Sequence, residues 1–523
     1  MEPQGESPSA RMILRAEFPI RGDQETFGRP RVFAPLLVFV ILLCALTAIR
    51  SPLDSHPDEL FHVEAAAYYA DNLLPPAVGD PRAAKSYSQY GYSYLNELDV
   101  VYVFAGKLGA LLSPVAAEPY LVFRAFNLLL LTALLAVAVR FPPYRAIFLL
   151  LLVSPQVWYI FSYFNGDALP LFLSLLIAGQ LVLPGSRLRA FLDEPRFRAR
   201  IGGAILVGVL LGVLALSKRN YYVFLLFAAS YLTYVVFGWR TAIAAIAFGL
   251  VAALAYAGVW SPVSTWFWVT AAVLGALTLF SAARACGSLG ETFGKVSKLA
   301  LIASIALAVF LPRYAYDRVV NGSESEKGAA IRQVAEARAK DNYKPSAMND
   351  PGKAYIGLRL QSKGVAFHEI FLSPWNWAPL TFGSATGIYG YMVVRAPSSY
   401  YAAMALLYTG LFGYLAFRAL ARGGTEERML TLYVFFFACL TIFQSAYHSW
   451  TNDLQPQGRY LFPVIAMFAV YLSRLEKLLR PAVLLPLVLG AFALSTMSFA
   501  YYAVYKPIPV GLQAHSGQPL PLY

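Results

Sequence analysis

Apolar stretches long enough for a transmembrane helix, about 17–25 residues, recur from one end of this chain to the other. They lie near 32–49, 120–139, 146–163, 168–184, 201–217, 221–238, 241–259, 263–282, 299–313, 399–418, 428–447, 459–476 and 481–502. Backbone inside hydrocarbon must close its own hydrogen bonds, so these runs predict an all-α polytopic membrane protein. Composition agrees: the chain is 58% hydrophobic and 14% charged, whereas soluble domains carry about 25% charged residues. So few charges cannot build a water-facing surface, and lipid must take its place. At 523 residues there is room for several soluble domains, but the runs continue throughout and predict one membrane domain with loop insertions.

The net charge of +13 is not a nucleic-acid signal, because the Lys and Arg residues are scattered at the ends of apolar runs. The cysteines, Cys44, Cys286 and Cys439, fall in or beside such runs and argue against a disulfide framework. The first run follows a polar stretch without a small-residue cleavage site and reads as an uncleaved span.

One further run, 98–116, carries Lys107 in its middle and Pro114 near its end. If it does not cross, every short basic loop falls on one side with the N-terminal Arg11, Arg15, Arg29 and Arg31: Arg140/Arg145, Arg187–Arg200, Arg240, Arg284/Lys295, Arg418/Arg422/Arg428 and Arg474/Lys477/Arg480. That is the cytoplasmic side by the positive-inside rule. If it crosses, all the later loops flip outward. The expectation is therefore thirteen spans, N-terminus in and C-terminus out, with 98–116 lying along or dipping into the outer face. The organisation expected is a cytoplasmic tail 1–31, a transmembrane core 32–313 containing an acidic outer loop 50–119, a second large outer loop 314–398, C-terminal helices 399–502 and an outer tail 503–523. Short helices are expected at 59–74 and 324–340, the first amphipathic enough to lie at the interface.

Four bases break the positive-inside pattern. Arg124 lies at the outer end of the second span, Lys218 and Arg219 at that of the fifth, and Arg459 at the outer start of the twelfth. Cations at that depth are costly unless they face a polar cavity or a partner. A single anionic ligand at the outer face, such as the phosphate of a lipid carrier, accounts for all four; the plainer account is four separate snorkelling side chains.

The acids follow the same geography. Ser55-His56-Pro57-Asp58-Glu59 comes just after the first span. Its two acids suit a general base, and equally a helix start, with Pro57 as an early helical residue and Asp58 and Glu59 complementing the dipole. Asn165-Gly166-Asp167 lies in the outer turn between the third and fourth spans. The triplet needs no explanation beyond a turn, yet Asp167 puts another acid on the same face as Asp58. His56 and His62 lie near these acids, but their spacing does not place both on one helical face, so a divalent metal is compatible with the sequence without being required. His448-Ser449-Trp450 and Gln457-Gly458-Arg459-Tyr460 form a late outer loop. Gly458 there permits close backbone approach. Trp450 and Tyr460 serve either as aromatic-belt residues or as stacking faces for a sugar, and the same alternatives hold for Trp375 and Trp377.

With these motifs in place the chain resembles the GT-C superfamily of membrane glycosyltransferases. His56-Pro57-Asp58-Glu59 resembles the tetrad of dolichyl-phosphate-mannose-dependent mannosyltransferases, and Asp167 falls in the outer loop where the superfamily often has another acid. Ser217-Lys218-Arg219-Asn220 is similar to the Thr-Lys-Gly of protein mannosyltransferases and lipid A aminoarabinose transferases. Arg219 departs from that Gly, which favours Lys218 over Arg219 for a phosphate role. Gln457-Gly458-Arg459-Tyr460-Leu461-Phe462-Pro463 resembles a late motif of a bacterial branch of GT-C-like proteins that also carries Pro-Asp-Glu after its first span.

The resemblance implies a GT-C-like helical core of about 13 transmembrane helices, an active site on the periplasmic or extracellular side of a bacterial inner membrane, and a polyprenyl-phosphate-linked sugar donor. Asp58, Glu59 and Asp167 become the catalytic candidates. Lys218, Arg459, Arg124 and Arg219 are the candidates for the donor phosphate, and His56, His62, Asn165, Trp450, Tyr460 and Gln457 for sugar or acceptor. The implied reaction is a single inverting displacement with an oxocarbenium-like transition state, Asp58 taking the proton of a hydroxyl on a glycan, lipid or protein. No cofactor is required, no nucleic acid is involved, and membrane lipid is the remaining partner. Two other readings are weighed against it. A glycan polymerase or ligase using a diphosphate-linked donor would suit Arg313, Arg318, Arg332, Arg338, Arg359 and Arg395 in or near the second loop. A lipid-linked sugar transporter or flippase would favour internal repeats and mid-membrane charges, and neither is evident in the sequence.

Overall fold

The computed structural model describes residues 30–112, 114, 118–196, 198–256, 265–286, 288–349 and 352–511. Most of the expected N-terminal tail, with Arg11, Arg15 and Arg29, and most of the tail 503–523 lie outside the described residues. Each of the thirteen apolar runs contains a helix. The first 112 residues supply α1 (Pro30–Arg50), α2 (Glu59–Asp71) and α3 (Val101–Leu112). α3 is 12 residues long, about 18 Å at 1.5 Å per residue, against about 30 Å of hydrocarbon. It packs along α2, whose inward stripe is Glu59, His62, Val63, Ala66 and Tyr69.

α4 (Pro119–Arg140) begins with proline at its first position, where the missing N–H is no loss. The next apolar run does not form one straight helix. α5 (Tyr144–Phe148) passes through a 3₁₀ turn, Leu149–Leu152, and the chain then bends by 93° into α6 (Pro155–Ser162). Ser154 and Pro155 dictate the break: proline cannot donate into a continuing helix, and the Ser154 hydroxyl instead caps a new one through the Val157 N–H. Beyond it come α7 (Ala168–Val182), α8 (Arg187–Leu192), α9 (Gly202–Ala215), α10 (Tyr222–Phe237), α11 (Trp239–Tyr256) and α12 (Thr265–Cys286).

α13 (Leu289–Asn321) runs for 33 residues, about 50 Å, and carries the chain well past the bilayer thickness. It lies along α9 at close range, because a Cβ added at Gly208 or Gly212 would sit 2.6 Å from Ile305 or Val309. This is the small-residue seam of packed membrane helices. α14 (Glu324–Arg338) starts at a capping box of Ser323 and Glu326. After several 3₁₀ turns come α15 (Trp377–Gly387) and a hairpin, β1 (Ile388–Tyr389) with β2 (Val394–Arg395), paired Ile388 to Arg395 and Tyr389 to Val394. α16 (Ser398–Arg422), α17 (Thr425–Thr451), α18 (Pro463–Leu475) and α19 (Pro481–Ser498) complete the chain.

Among the described residues seven helices, α1, α4, α10, α13, α16, α17 and α19, are long and apolar enough to cross a membrane, and the bent α5–α6 pair would make an eighth. The protein is thus an all-α, multi-pass membrane protein. The short α7 and α18 are buried on nearly every side, as expected of helices apolar all round. The long helices wrap this centre and keep half or more of their apolar windows outward.

Candidate active site

Two prolines shape the loop between α1 and α2. Pro52 and Pro57 stop helix on either side, and Asp54 and Asp58 take left-handed φ angles of 66° and 59°, a conformation that Asp tolerates better than most residues. The helix therefore starts at Glu59 and not at Pro57. Asp58 stands just before it and makes no side-chain cap, which corrects the sequence expectation of a carboxylate serving the helix end. Its Oδ2 instead accepts from the Tyr94 hydroxyl at 3.2 Å and lies 3.7 Å from Arg459 Nη2, with 26% of the side chain exposed.

Glu59, the next residue, points the other way. Its two oxygens accept from Arg124 Nε and Nη2 at 2.7 and 2.6 Å, and neither side chain is exposed. Arg124 also donates to the carbonyls of Ala48, Ser51 and Pro52. Burial raises the Glu59 carboxyl above its usual range despite Arg124's pull. All three guanidinium nitrogens of Arg124 are committed to the protein, so the sequence expectation that Arg124 faces a ligand phosphate meets a closed internal ion pair.

His56 is likewise internal. Its Nδ1 bonds to the Tyr159 hydroxyl at 2.6 Å and its Nε2 to the Ser51 hydroxyl at 2.8 Å, while the ring stacks on Tyr163. Burial, then the charge of Arg124, keep its pKa well below the ordinary value, so it is a neutral brace. Asn165 supports the next turn: its Oδ1 accepts from the Asp167 N–H at 2.8 Å and its Nδ2 donates to the carbonyls of Ile160 and Tyr163.

That turn delivers Asp167 to two cations. Asp167 Oδ2 lies 2.8 Å from Lys218 Nζ and 3.6 Å from Arg459 Nη1. Arg459 Nη1 also donates to the Tyr163 hydroxyl at 3.3 Å. Arg459 thus connects the two acids, one guanidinium nitrogen toward Asp58 and another toward Asp167. It is held there because Gly458 packs directly on α15: an added Cβ would stand 2.2 Å from the Ala385 nitrogen. Arg219, beside Lys218, turns out to solvent and pairs with Glu97 at 3.0 Å.

His62 Nδ1 bonds to the Tyr102 hydroxyl at 2.7 Å, and its ring stacks on Tyr94 with centroids 4.0 Å apart. Burial, followed by Lys218 and Arg459, pushes its pKa well down. Three buried atoms here lack a hydrogen-bond partner among the described residues: His62 Nε2, Asp167 Oδ1 and Arg459 Nε. Buried polar atoms are almost always bonded, so unmet capacity on three charged or polar side chains of one cluster suits a polar ligand. Among the described residues no three His, Cys, Asp or Glu side chains gather to hold a metal ion.

The remaining sequence candidates sit at or beyond the edge. Tyr460 donates to the Gln455 side chain and lies beneath the Arg459 guanidinium. Gln457, half-buried, precedes the turn that carries Arg459. Trp450 donates to the Val365 carbonyl at 2.7 Å and packs on Phe367, so its ring belongs to the second loop's own small core, as does Trp377, bonded to Ser449.

Two acids went unremarked as site residues. Asp99 is buried beside Gly166, whose added Cβ would stand 3.0 Å from both Asp99 Oδ2 and Lys218 Cε. Burial pushes its carboxyl up to about 7. Asp453, bonded by Gln455 at 2.8 Å, is pushed up to about 6 by burial, with the charge of Asp58 acting in the same direction. Position in an acidic loop was the only sequence signal for Asp99. Next to this cluster, between α3, α9 and α13, lies an apolar cavity of about 300 Å³ lined by Val100, Val103, Phe104, Leu216 and Val309, with Arg313 in its wall. Arg313 donates to the Leu98 carbonyl at 2.8 Å, and Leu216 lies two residues before Lys218.

No protein-family model and no curated protein matches the chain. Two solved structures are similar to it in fold. One is the archaeal oligosaccharyltransferase AglB from Archaeoglobus fulgidus in complex with an inhibitory peptide and a dolichol-phosphate, at 15% identity and a TM-score of 0.43, covering 91% of this chain and 56% of that one. The other is the Archaeoglobus fulgidus oligosaccharyltransferase in complex with Zn and sulfate, at 14% identity and a TM-score of 0.39, covering 91% and 53%. This chain matches little more than half the length of those proteins.

Proposed function

We propose that this chain is an inverting glycosyltransferase that moves a sugar from a polyprenyl-phosphate carrier to a hydroxyl of a glycan, lipid or protein on the extracytoplasmic side of a bacterial inner membrane. The observation that carries the proposal is the bridge made by Arg459, 3.7 Å from the accessible Asp58 and 3.6 Å from Asp167, which Lys218 also holds. It joins a candidate base to a pair of cations within one side chain's reach.

In this reading Lys218 and Arg459 take the donor phosphate, with Asp167 keeping both cations aimed when no donor is bound. Asp58 accepts the proton of the acceptor hydroxyl. The acceptor oxygen bonds to the anomeric carbon as the bond from that carbon to the phosphate oxygen breaks. The carrier phosphate leaves with a charge that the two cations stabilise. Arg124 and Glu59 brace the base loop and touch neither substrate. The His62 Nε2 faces the sugar or acceptor. The apolar cavity at Leu216 and Val309 receives the start of the carrier's tail.

The test is transfer by the purified chain in nanodiscs, offered a panel of polyprenyl-monophosphate hexoses and pentoses, with free polyprenyl phosphate as the readout. Asp58→Asn is expected to abolish release while donor still binds. Binding of diphosphate-linked glycans with no release from any monophosphate donor would replace this reading with a polymerase or ligase.

A further inference from the structure

The hairpin at the end of the second large loop reaches across to the base. Gly390, Tyr391, Met392 and Val393 connect β1 to β2, with left-handed φ angles of 61° at Gly390 and 66° at Met392. These turn the buried Tyr391 side chain back toward the α1–α2 loop. Its hydroxyl donates to Asp54 Oδ1 at 2.6 Å, four residues before Asp58 in the same loop. One residue earlier, the Gly390 N–H donates to the Tyr159 hydroxyl at 2.8 Å, and that hydroxyl also bonds His56. The neighbouring α15 packs through Ala385 on Gly458, and the Ala385 carbonyl accepts from Ser154 at 2.8 Å.

One strap, residues 385–391, therefore touches both the loop carrying Asp58 and the loop carrying Arg459. Among the described residues the Asp58 side chain has only the Tyr94 hydroxyl at 3.2 Å and Arg459 at 3.7 Å to hold it, so its direction is set mainly by its backbone. That backbone is left-handed at a non-glycine residue, a conformation that persists only when its surroundings enforce it.

We infer that Tyr391 is a positioning residue, whose hydroxyl ties the Asp54 carboxylate, and with it the loop that ends at Asp58, to the hairpin and so fixes the direction of the Asp58 carboxylate toward the acceptor. The inference deepens the transferase reading above and rests on it for its chemistry. It also gives the second loop a catalytic duty that covering the site would not require. A positional error near 1 Å at a reacting group costs about a hundredfold in rate.

Two measurements on the full chain in nanodiscs test it. Hydrogen exchange of native chain and Tyr391→Phe, read on peptides covering residues 52–60, should show the amides of this loop exchanging about ten times faster or more in the variant, with α15 and the rest of α2 unchanged. Unchanged protection overturns the inference. With whichever polyprenyl-monophosphate sugar the native chain uses, Tyr391→Phe should lower kcat about ten- to a hundredfold at unchanged donor KM, because Lys218 and Arg459 are untouched. Asp54→Ala, which removes the partner of that hydroxyl, should act in the same direction. Native kcat in both variants, or a loss confined to donor KM, also overturns it. A native chain inert toward every donor sinks the transferase reading, and the exchange measurement still decides the clamp.

Discussion

Lys218 Nζ lies 2.8 Å from Asp167 Oδ2, with the acid fully buried and the lysine 17% exposed. Each is the other's nearest counter-charge. Replacing the lysine alone strands a buried carboxylate on Arg459, 3.6 Å away, and removing one partner of a buried pair is far costlier than removing both. Lys218→Met should therefore lower the melting temperature in detergent more than Lys218→Met with Asp167→Asn. Strictly additive melting shifts would mean that the two are not coupled.

Arg124 and Glu59 should behave as architecture. Arg124→Ala leaves Glu59 buried without its guanidinium and is expected to destabilise the chain by about 3–5 kcal/mol. Arg124→Lys should rescue little, since an ammonium cannot reproduce the two-pronged contact. Thermal unfolding of the variants reads this directly. Native stability combined with weakened donor binding would return Arg124 to the phosphate.

Asp99 gives a pH dependence of known sign. Its carboxyl is pushed up to about 7 by burial, against about 3.9 in an unfolded chain. Between those values the folded chain holds a proton that the unfolded chain has released. The stability it contributes is thus complete at the acid end and is lost as pH rises toward 7, by at most about 1.4 kcal/mol per unit. Asp453, raised to about 6, acts in the same sense over a narrower window. The buried His56 and His62, whose pKa values are depressed, act oppositely below about 6.5. The informative quantity is therefore the melting temperature of the native chain minus that of Asp99→Asn, measured from pH 4.5 to 8. It should fall across the window, and a flat difference would rule out a proton held at Asp99.

Gly458→Ala should disable the site without touching a charge. The new methyl would lie 2.2–2.5 Å from the Ala385 backbone and side chain, and backbone on both sides leaves the Arg459 turn to move. Donor KM should rise and kcat fall by about a hundredfold together, and steady-state kinetics would reveal either change. Native kinetics would show that the two backbones separate without cost.

Much of this was legible in the sequence, and the failures share a cause. Run length and charge placement lead to the helical elements, because both follow from the bilayer itself. Asp58, Asp167, Lys218 and Arg459 stood out as charges at odds with apolar surroundings, and the fold brings those four together. Asp58 and Glu59 looked equivalent as neighbours, but a single left-handed residue sends their carboxylates in opposite directions. Lys218 and Arg219 part too, at the 3₁₀ turn that begins with Arg219. Arg124 could have been read more closely: it shares an inward stripe with Asn127, Leu131, Leu134 and Ala138, the spacing of a buried helix face. Tyr94, Tyr163 and Tyr391 carried no signal among 34 tyrosines, since only tertiary contact distinguishes them.

The 93° bend between α5 and α6 bears on how the chain is made. A helix broken at membrane depth exposes backbone carbonyls that hydrocarbon cannot satisfy. The Val153 carbonyl is met by Tyr408 from α16 at 2.7 Å and by Ser495 from α19 at 2.9 Å, residues synthesised more than two hundred positions later. The elbow that sets the Asn165–Asp167 turn cannot reach its final bonding until α19 has entered the membrane. A ribosome-bound intermediate lacking α19 should therefore hold an unfinished elbow, and the Asn165–Asp167 turn settles only after α19 has been made.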